Sequence, residues 1–234
     1  MLATVLRKLE VPFLVAVPLV LGLCAYLQFD QTALLTLVVA VAAIGVFFAS
    51  YEASRPSLRQ IMPTVVMGAL AAAGRILFAP IPDFKPVSAI CIVAGVVFGR
   101  RSGFMVGALA ALVSNFFFGQ GPWTPWQMYA WGLVGYLAGV LADQGAFDRK
   151  PVIYVYGFLS ALLYGFLLNS WYLVGFVHPI TWPSAVVTYA AGFPLDCIHG
   201  VATVVFLLFI FIPWRRKLER IRAKYGLASD ESRF

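Results

Sequence analysis

The sequence predicts an all-α integral membrane protein with about eight transmembrane helices. Hydrophobic residues make up 62% of the 234 residues and charged residues only 12%, whereas a soluble domain is about half apolar and about a quarter charged. The mean hydropathy is +0.88, and apolar stretches of about 20 residues, the length that crosses a bilayer, recur along the chain. These numbers leave too few charges to cover a water-exposed surface and exclude disordered, collagen-like and coiled-coil chains.

The apolar stretches and the breaks between them predict the spans in order. They lie at about 11–28, 32–52, 61–80, 86–99, 102–118, 125–142, 151–176 and 194–213. The fourth is short, and Pro86 suits the first turn of its helix. Gly192-Phe193-Pro194 predicts a break, with Pro194 opening the last span. We therefore expect residues 177–193 to form an outer loop with a short interfacial helix.

The distribution of basic residues predicts the orientation. All of the 17 Lys and Arg residues except Arg75 and Lys85 lie in the N-terminal segment, in the second, fourth and sixth loops, or after the last span. The positive-inside rule places these segments, and therefore both termini, in the cytoplasm. The net charge of +7 then reflects membrane topology, and no nucleic-acid partner is expected.

The polar linker at 52–60 separates two predicted units. The two spans before it carry almost no polar atoms at membrane depth, and every residue with chemical character follows it. We predict an N-terminal transmembrane hairpin (1–58), a six-helix substrate-binding core (59–214) and a basic cytoplasmic tail (215–234).

Polar side chains inside a membrane are costly, so each one in the core is a candidate functional residue. At a rise of 1.5 Å per residue, all of them fall in the outer half of their predicted spans, whereas the inner half has almost none. This asymmetry predicts a pocket open to the outside rather than a continuous polar pore. The six are Arg75, Asn115, Gln127, Asn169, Asp196 and His199.

The same side chains also fit structural roles. Arg75 and Asp196 are alternatively a neutralising pair, and Asp196 is alternatively an acid stabilised at a helix N-terminus. Asn115 and Asn169 also suit hydrogen bonds between helices, and His199 suits a structural position. Their gathering at one side favours a binding site.

The segment Phe116–Gln127, which reads FFFGQGPWTPWQ, is predicted to present bulky aromatic residues at the outer face. Its glycines and prolines favour a compact turn. Aromatic belts at membrane interfaces are one explanation. The other is a wall for a large, flat or partly apolar ligand, oriented by amide and guanidinium groups. The candidate wall residues are Phe118, Trp123, Trp126 and Trp171.

Small residues at helical spacing in span three predict a close helix–helix contact. Gly68 and Ala72 form one four-residue step, and Ala69 and Ala73 form a second. A partner helix and internal packing are both compatible with this stripe.

Signatures of enzymes are absent from the sequence. There is no phosphate-binding Gly-x-x-x-x-Gly-Lys-Ser/Thr loop, no His-Glu-x-x-His and no Gly-x-Ser-x-Gly. Two histidines, three widely separated cysteines and no clustered carboxylates supply neither a metal site nor a pair of catalytic acids. We expect no enzyme activity, no metal and no bound cofactor.

Several motifs occur together in the core. They are GALAAAGR at 68–75, PIPDFKP at 80–86, the glycine-spaced segment 95–107, SNFFFGQGPWTPWQM at 114–128 and PLDCIH at 194–199. On these motifs, residues 61–213 resemble the substrate-binding S component of energy-coupling-factor (ECF) vitamin transporters. Within that family, FGQGPWTP looks most like the branch associated with cobalamin uptake. The two leading helices depart from the usual six-span S component.

The resemblance implies a six-helix binding subunit in a bacterial or archaeal plasma membrane. An outward vitamin site would be closed by external loops, and a transmembrane coupling (T) subunit and two cytoplasmic ATPases would supply the energy. The whole S component is thought to tip in the membrane, and the stripe at Gly68, Ala69, Ala72 and Ala73 matches the surface that meets the coupling subunit. The expected substrate-binding residues are Arg75, Lys85, Asn115, Phe118, Trp123, Trp126, Gln127, Asn169, Trp171, Asp196 and His199.

Other functions stay open on the sequence. The vitamin is expected to be cobalamin, with another vitamin or a flat polar metabolite as the alternative. A solitary secondary transporter would use Asp196 and His199 as a proton relay, although the sequence shows no discontinuous helices in matched halves. An accessory membrane protein would use the outer aromatic residues only as anchors.

Overall fold

A computed structural model describes residues 2–27, 32–53 and 58–224, which form eight α-helices and one short 3₁₀ helix. These ranges contain no β-strand. Parts of the predicted polar linker (54–57) and basic tail (225–234) lie outside the described residues. The helices are α1 (Leu2–Leu27), α2 (Thr32–Ala53), α3 (Leu58–Leu77), α4 (Val87–Phe98), α5 (Arg100–Phe118), α6 (Trp123–Asp143), α7 (Lys150–Phe176) and α8 (Trp182–Lys224), with the 3₁₀ helix at Ala146–Asp148.

Five helices in the described ranges are long and apolar enough to cross a membrane. They contain the segments Thr4–Leu27, Ala33–Ala53, Arg100–Phe118, Pro151–Phe176 and Trp182–Lys224. Two further apolar helices, Ile61–Leu77 and Val87–Phe98, are shorter. The prediction of an all-helical, multi-pass membrane protein is confirmed, and the count of eight spans stays a prediction.

The predicted break before the last span is wrong. Helix α8 runs without interruption from Trp182 to Lys224, with Pro194 and Pro213 inside it. A proline removes one helical hydrogen bond, but packed membrane helices tolerate this because neighbouring groups satisfy the freed backbone. Gly192 serves close packing instead, since a Cβ there would lie 2.5 Å from Asn169 Nδ2 on α7. No separate interfacial helix exists at 177–193.

Glycines bring the backbones of α4, α5 and α6 into direct contact. A Cβ on Gly103 would lie 2.4 Å from the carbonyl oxygen of Gly135, and a Cβ on Gly95 would lie 2.1 Å from the same oxygen. Helix α3 packs on α4 and α5, and α8 packs on α7 and α4. These contacts join α3 to α8 into one closely packed bundle.

Gly103→Ala is expected to lower the free energy of unfolding by about 1–3 kcal/mol, because the added methyl overpacks a backbone contact. Thermal unfolding of the purified protein in detergent measures the change. Gly45→Ala is the matched control, because nothing lies within 4 Å of a Cβ at Gly45. Equal midpoints for the two variants would contradict the close contact between α5 and α6.

The α1–α2 hairpin is joined to the inner end of the core by buried polar groups. The Glu10 carboxylate is buried and accepts a hydrogen bond from Arg101 Nε at 2.6 Å, at the start of α5. The Ser50 hydroxyl on α2 donates to the same carboxylate. One carboxylate therefore links α1, α2 and α5.

Aromatic contacts continue this junction toward the middle of the bundle. The ring of Phe47 on α2 stacks on Phe104 of α5, with centroids 3.9 Å apart, and meets Tyr136 of α6 edge-on. The Tyr129 hydroxyl donates to the carbonyl oxygen of Leu14 at 2.6 Å. The hairpin thus packs on the core through specific contacts.

Candidate functional site

The candidate site lies at the outer end of the bundle, the name used here for the end that carries the connections 78–86, 119–122 and 177–181. Arg75 stands in the last turn of α3, Asn115 in the last turn of α5 and Gln127 in the first turns of α6. Helices α3, α5 and α6 meet there, so the three side chains converge as the sequence predicts.

Asn115 links Arg75 to α6. Arg75 Nη1 donates to Asn115 Oδ1 at 2.6 Å and to Ser114 Oγ at 2.7 Å. The buried amide nitrogen of Asn115 donates to Thr124 Oγ1 at 3.0 Å and to Gln127 Oε1 at 2.8 Å. Both ends of this amide are therefore used, which fixes its orientation.

Two aromatic rings flank the Arg75 guanidinium. Its central carbon lies 4.7 Å from the Phe118 ring centroid and 4.9 Å from that of Trp131, distances at which a cation is attracted to a ring face. Among the described residues, no carboxylate forms an ion pair with Arg75, and only Nη1 donates to a protein atom. The Nε and Nη2 donors remain available to a ligand.

The connection between α5 and α6 is held by Thr124. Its hydroxyl donates to Gln120 Oε1 at 2.9 Å and accepts from the Gly121 backbone amide at 3.3 Å. Gln120 in turn donates to the carbonyl oxygen of Leu112 at 2.9 Å. These bonds fix the compact turn that the glycines and prolines of this segment predict.

A second cluster joins four helices beside Arg75. Ser88 Oγ on α4 lies 2.8 Å from Nε2 of the buried His199 on α8, and Trp131 Nε1 of α6 donates to Ser88 Oγ at 3.2 Å. The Tyr164 ring of α7 stacks on Trp131 at 4.7 Å and meets His199 edge-on at 5.1 Å. Trp131 therefore connects this cluster to Arg75.

Asp196 lies in a separate contact between α7 and α8. Asn169 Nδ2 donates to Asp196 Oδ2 at 3.3 Å. The carboxylate sits directly on Gly165, where a Cβ would lie 1.9 Å from Oδ1. The alternative of an Arg75–Asp196 ion pair is not observed in the described chain, and Asp196 and His199 bond to different partners.

The predicted aromatic wall divides into exposed and buried members. Phe118 and Trp123 are partly exposed at the outer end. Trp126 is 0% exposed and stacks on Trp171, itself buried, with centroids 6.2 Å apart. The first pair can contact a ligand directly, whereas the second pair supports the site from inside the bundle.

Lys85 holds together the turn that follows α3. Its ammonium donates to the carbonyl oxygens of Phe78 at 2.8 Å and Ile81 at 2.6 Å. Both carbonyls lie just beyond Leu77, the last residue of α3, so the ammonium also stands near the negative end of the helix dipole. A role of Lys85 in substrate binding stays a prediction.

Lys85→Gln is expected to lower the free energy of unfolding by about 1 kcal/mol, through loss of these hydrogen bonds, and a purely structural Lys85 predicts unchanged ligand affinity. Thermal unfolding and calorimetric titration measure the two quantities. Arg149→Gln, an exposed cation at the other end of the bundle, is the control. A loss of affinity at unchanged stability would instead place Lys85 on the ligand.

Several residues of the site were not selected from the sequence. Ser114 precedes Asn115 in the segment 114–128, and a polar residue at this depth in the membrane could have identified it as part of the site. Trp131 and Tyr164 stand in apolar helices, where the sequence gives no reason to separate them from ordinary core aromatic residues.

Asp83 has φ 49° in the α3–α4 connection. Burial raises the pKa of its carboxyl, and the charges of Lys85 and Arg75 oppose that rise. The missed residues are Asp83, Ser88, Ser114, Thr124, Trp131 and Tyr164.

The small-residue stripe on α3 has two buried and two exposed positions. Gly68 and Ala72 are buried in the bundle, and a Cβ on Gly68 would lie 3.1 Å from Leu109 Cβ of α5. Ala69 and Ala73 are exposed. Internal packing thus accounts for the first two positions, and docking of a partner on the stripe stays a prediction.

The described residues contain no group of three or more His, Cys, Asp or Glu side chains placed to hold a metal ion. The hydrogen-bonding groups at the outer end are amides, hydroxyls, an imidazole, a guanidinium and carboxylates, flanked by aromatic faces. This set can recognise an organic molecule that combines a flat or apolar surface with hydrogen-bonding edges.

Comparison with known proteins identifies the family. The family described as ECF-type riboflavin transporter, S component, matches residues 55–215, from just before α3 to the inner part of α8. Two UPF0397 proteins of Aliivibrio fischeri, from strains MJ11 and ATCC 700601 / ES114, are each 28% identical over 109 residues, which cover 42% of this chain and 59% of the relative. The chain thus spans less than two thirds of these relatives, and no solved structure matches it. The matched family consists of transporter subunits rather than enzymes, and this chain belongs to the ECF-type S component family.

Proposed function

We propose that this chain is the substrate-binding subunit of an ATP-driven micronutrient importer in a bacterial or archaeal plasma membrane. It captures a vitamin at the outer end and delivers it by reorienting in the membrane with a coupling subunit and two cytoplasmic ATPases. Eight helices cross the membrane, with both termini in the cytoplasm. Family membership and the gathering of polar side chains at one end of the bundle support this proposal.

The arrangement of Arg75 is the observation on which the ligand site rests. Ser114 and Asn115 hold the guanidinium through Nη1 alone, and Phe118 and Trp131 flank it. In the part of the chain that the structure describes, no carboxylate lies within ion-pair distance of its guanidinium, and the Asp83 carboxyl acts on its charge only at longer range. A charged group fixed by neutral neighbours is suited to an anionic or carbonyl group of a ligand.

Cobalamin is the ligand that we propose. The loop at 118–125 resembles the cobalamin branch of the family, and cobalamin presents several amides and one anionic phosphodiester. The phosphodiester can accept hydrogen bonds from the Nε and Nη2 donors of Arg75, and the amides can form hydrogen bonds with the side chains of Gln127 and Asn169. Riboflavin is the second candidate because the family description names it and its flat ring suits Phe118 and Trp123, but riboflavin is uncharged.

Purified protein is expected to bind cobalamin without ATP. Mass spectrometry of the co-purifying ligand, followed by calorimetric titration with cobalamin and riboflavin, tests this. Tighter binding of riboflavin than of cobalamin would identify riboflavin as the substrate instead. A lack of binding across a panel of vitamins would contradict the proposal that this chain is a vitamin-binding subunit.

Transport is expected to need the partner subunits. Vesicles that contain this chain alone should show no uptake under a pH gradient, because Asp196 and His199 belong to different hydrogen-bond clusters. Uptake should appear when the coupling subunit, the ATPases and ATP are supplied. Proton-driven uptake by the chain alone would identify it as a secondary transporter.

A further inference from the structure

An apolar groove lies at the inner end of the bundle, on the opposite side of the membrane from the candidate site. Its volume is about 540 Å³, and it runs between α3 and the cytoplasmic end of α8. Apolar side chains make up most of its walls, and two cations, Arg59 and Lys217, also line it. Its apolar walls include Met62, Val66, Leu70, Phe98, Trp214 and Leu218.

We propose that this groove binds an anionic phospholipid of the cytoplasmic leaflet, with an acyl chain along α3 and the phosphate on Arg59 and Lys217. Both cations are exposed, and neither has a hydrogen-bond or ion-pair partner among the described residues. A phosphate held by these two groups would gain charge-assisted hydrogen bonds, while the acyl chain would cover the apolar walls.

The helix that carries Lys217 has the pattern of an interfacial amphipathic helix. Trp214, Leu218 and Ile221 recur at helical spacing and face the groove, and basic residues occupy six of the other eight positions from 214 to 224. The only acidic residue between 214 and 224 is Glu219, which pairs with Arg215 at 2.8 Å. Basic segments at the membrane surface attract the anionic lipids of the cytoplasmic leaflet.

This helix is fixed against the bundle. Arg222 Nη1 donates to the carbonyl oxygen of Val97 at 2.6 Å, near the end of α4. The wall formed by Trp214 and Leu218 is therefore tied to the end of α4, which itself packs on α3.

The lining of the groove favours a lipid over a partner helix. A flexible acyl chain can follow the apolar walls without a matched row of side chains. The two cations add a selection for anionic headgroups that an apolar helix would not need.

The test uses the full chain in vesicles of equal phosphatidylglycerol and phosphatidylcholine, with the retained lipid counted by native mass spectrometry. The protein is expected to retain phosphatidylglycerol preferentially. Replacing Arg59 and Lys217 by Gln should lower this retention roughly fivefold for each cation removed. The matched control replaces Lys8 and Arg149 by Gln; both are exposed cations at the same end that do not line the groove.

The Val66→Trp variant tests the contribution of the apolar groove apart from that of the two cations. Val66 is an exposed wall residue, so a larger side chain should fill the groove without disturbing the core, and phosphatidylglycerol retention should fall with both cations intact. Equal retention of the two lipids by the unmodified protein would overturn the proposal. So would groove variants that weaken co-purification with the coupling subunit while lipid retention is unchanged, which would identify a protein interface.

Discussion

Replacing Arg75 by Gln is expected to weaken cobalamin binding by about 10- to 150-fold, the equivalent of about 1.5–3 kcal/mol for a lost charge-assisted hydrogen bond. Glutamine can still reach Ser114 or Asn115, but it brings neither the positive charge nor the forked donors that remain free in Arg75. Arg75 is partly exposed, which limits the effect on folding. Calorimetric titration measures the affinity, and thermal unfolding in detergent monitors the fold.

Cobinamide separates ligand contact from site organisation, because it keeps the corrin ring and its amides but lacks the phosphodiester. Arg75→Gln should leave cobinamide affinity nearly unchanged if the guanidinium binds the phosphodiester. An equal loss for both ligands would mean that Arg75 orders Asn115 and the surrounding loop instead. Unchanged cobalamin affinity would remove Arg75 from the site. Arg149→Gln, an exposed cation at the opposite end, controls for the change in net charge.

The helical membrane fold follows from the sequence because bilayer solvation acts on every residue of a span. Runs of apolar residues and the positions of Arg and Lys define the helices almost to their ends, as α2 (Thr32–Ala53) and α5 (Arg100–Phe118) show. The failure at Pro194 has a tertiary cause. Gly192 and Pro194 disfavour a helix locally, but Gly192 gives close contact with Asn169 and α8 continues.

The candidate site was predictable where a side chain is out of place in hydrocarbon. Arg75, Asn115 and Gln127 stand out for that reason, and the structure brings them within hydrogen-bonding distance. Aromatic residues carry no such signal. Trp123 and Trp126 are neighbours in the same segment, yet one is partly exposed and the other buried, because Trp123 is the first residue of α6 and Trp126 lies almost one turn further into the bundle.

The join between hairpin and core could not be read from the sequence. Glu10 precedes the predicted first span and is an ordinary acidic residue near a cytoplasmic interface. Only the packing of α1 on the bundle brings its carboxylate to Arg101 and Ser50. Long-range contacts of this kind depend on which faces of the helices meet, and one chain alone does not reveal that.

Glu10→Gln is expected to lower the free energy of unfolding by about 3–5 kcal/mol, the usual cost of removing one partner of a buried ion pair. The side chains of Glu10 and Arg101 are only 3% and 11% exposed, so solvent cannot replace the lost carboxylate. Thermal unfolding in detergent measures the effect. Glu52→Gln, which removes an exposed acid from the same hairpin, should shift the midpoint little.

The loss of stability in Glu10→Gln can be measured apart from ligand binding, because Glu10 lies far from the candidate site. Glu10 lies at the inner end of the bundle, so the folded fraction of Glu10→Gln should bind cobalamin with unchanged affinity. Adding Arg101→Gln should restore part of the stability, because two neutral partners remove the uncompensated buried charge. If Glu10→Gln and Glu52→Gln unfold at the same temperature, the buried pair does not hold the hairpin to the core, and the remaining contacts, such as Phe47 with Phe104 and Tyr129 with the Leu14 carbonyl, must do so.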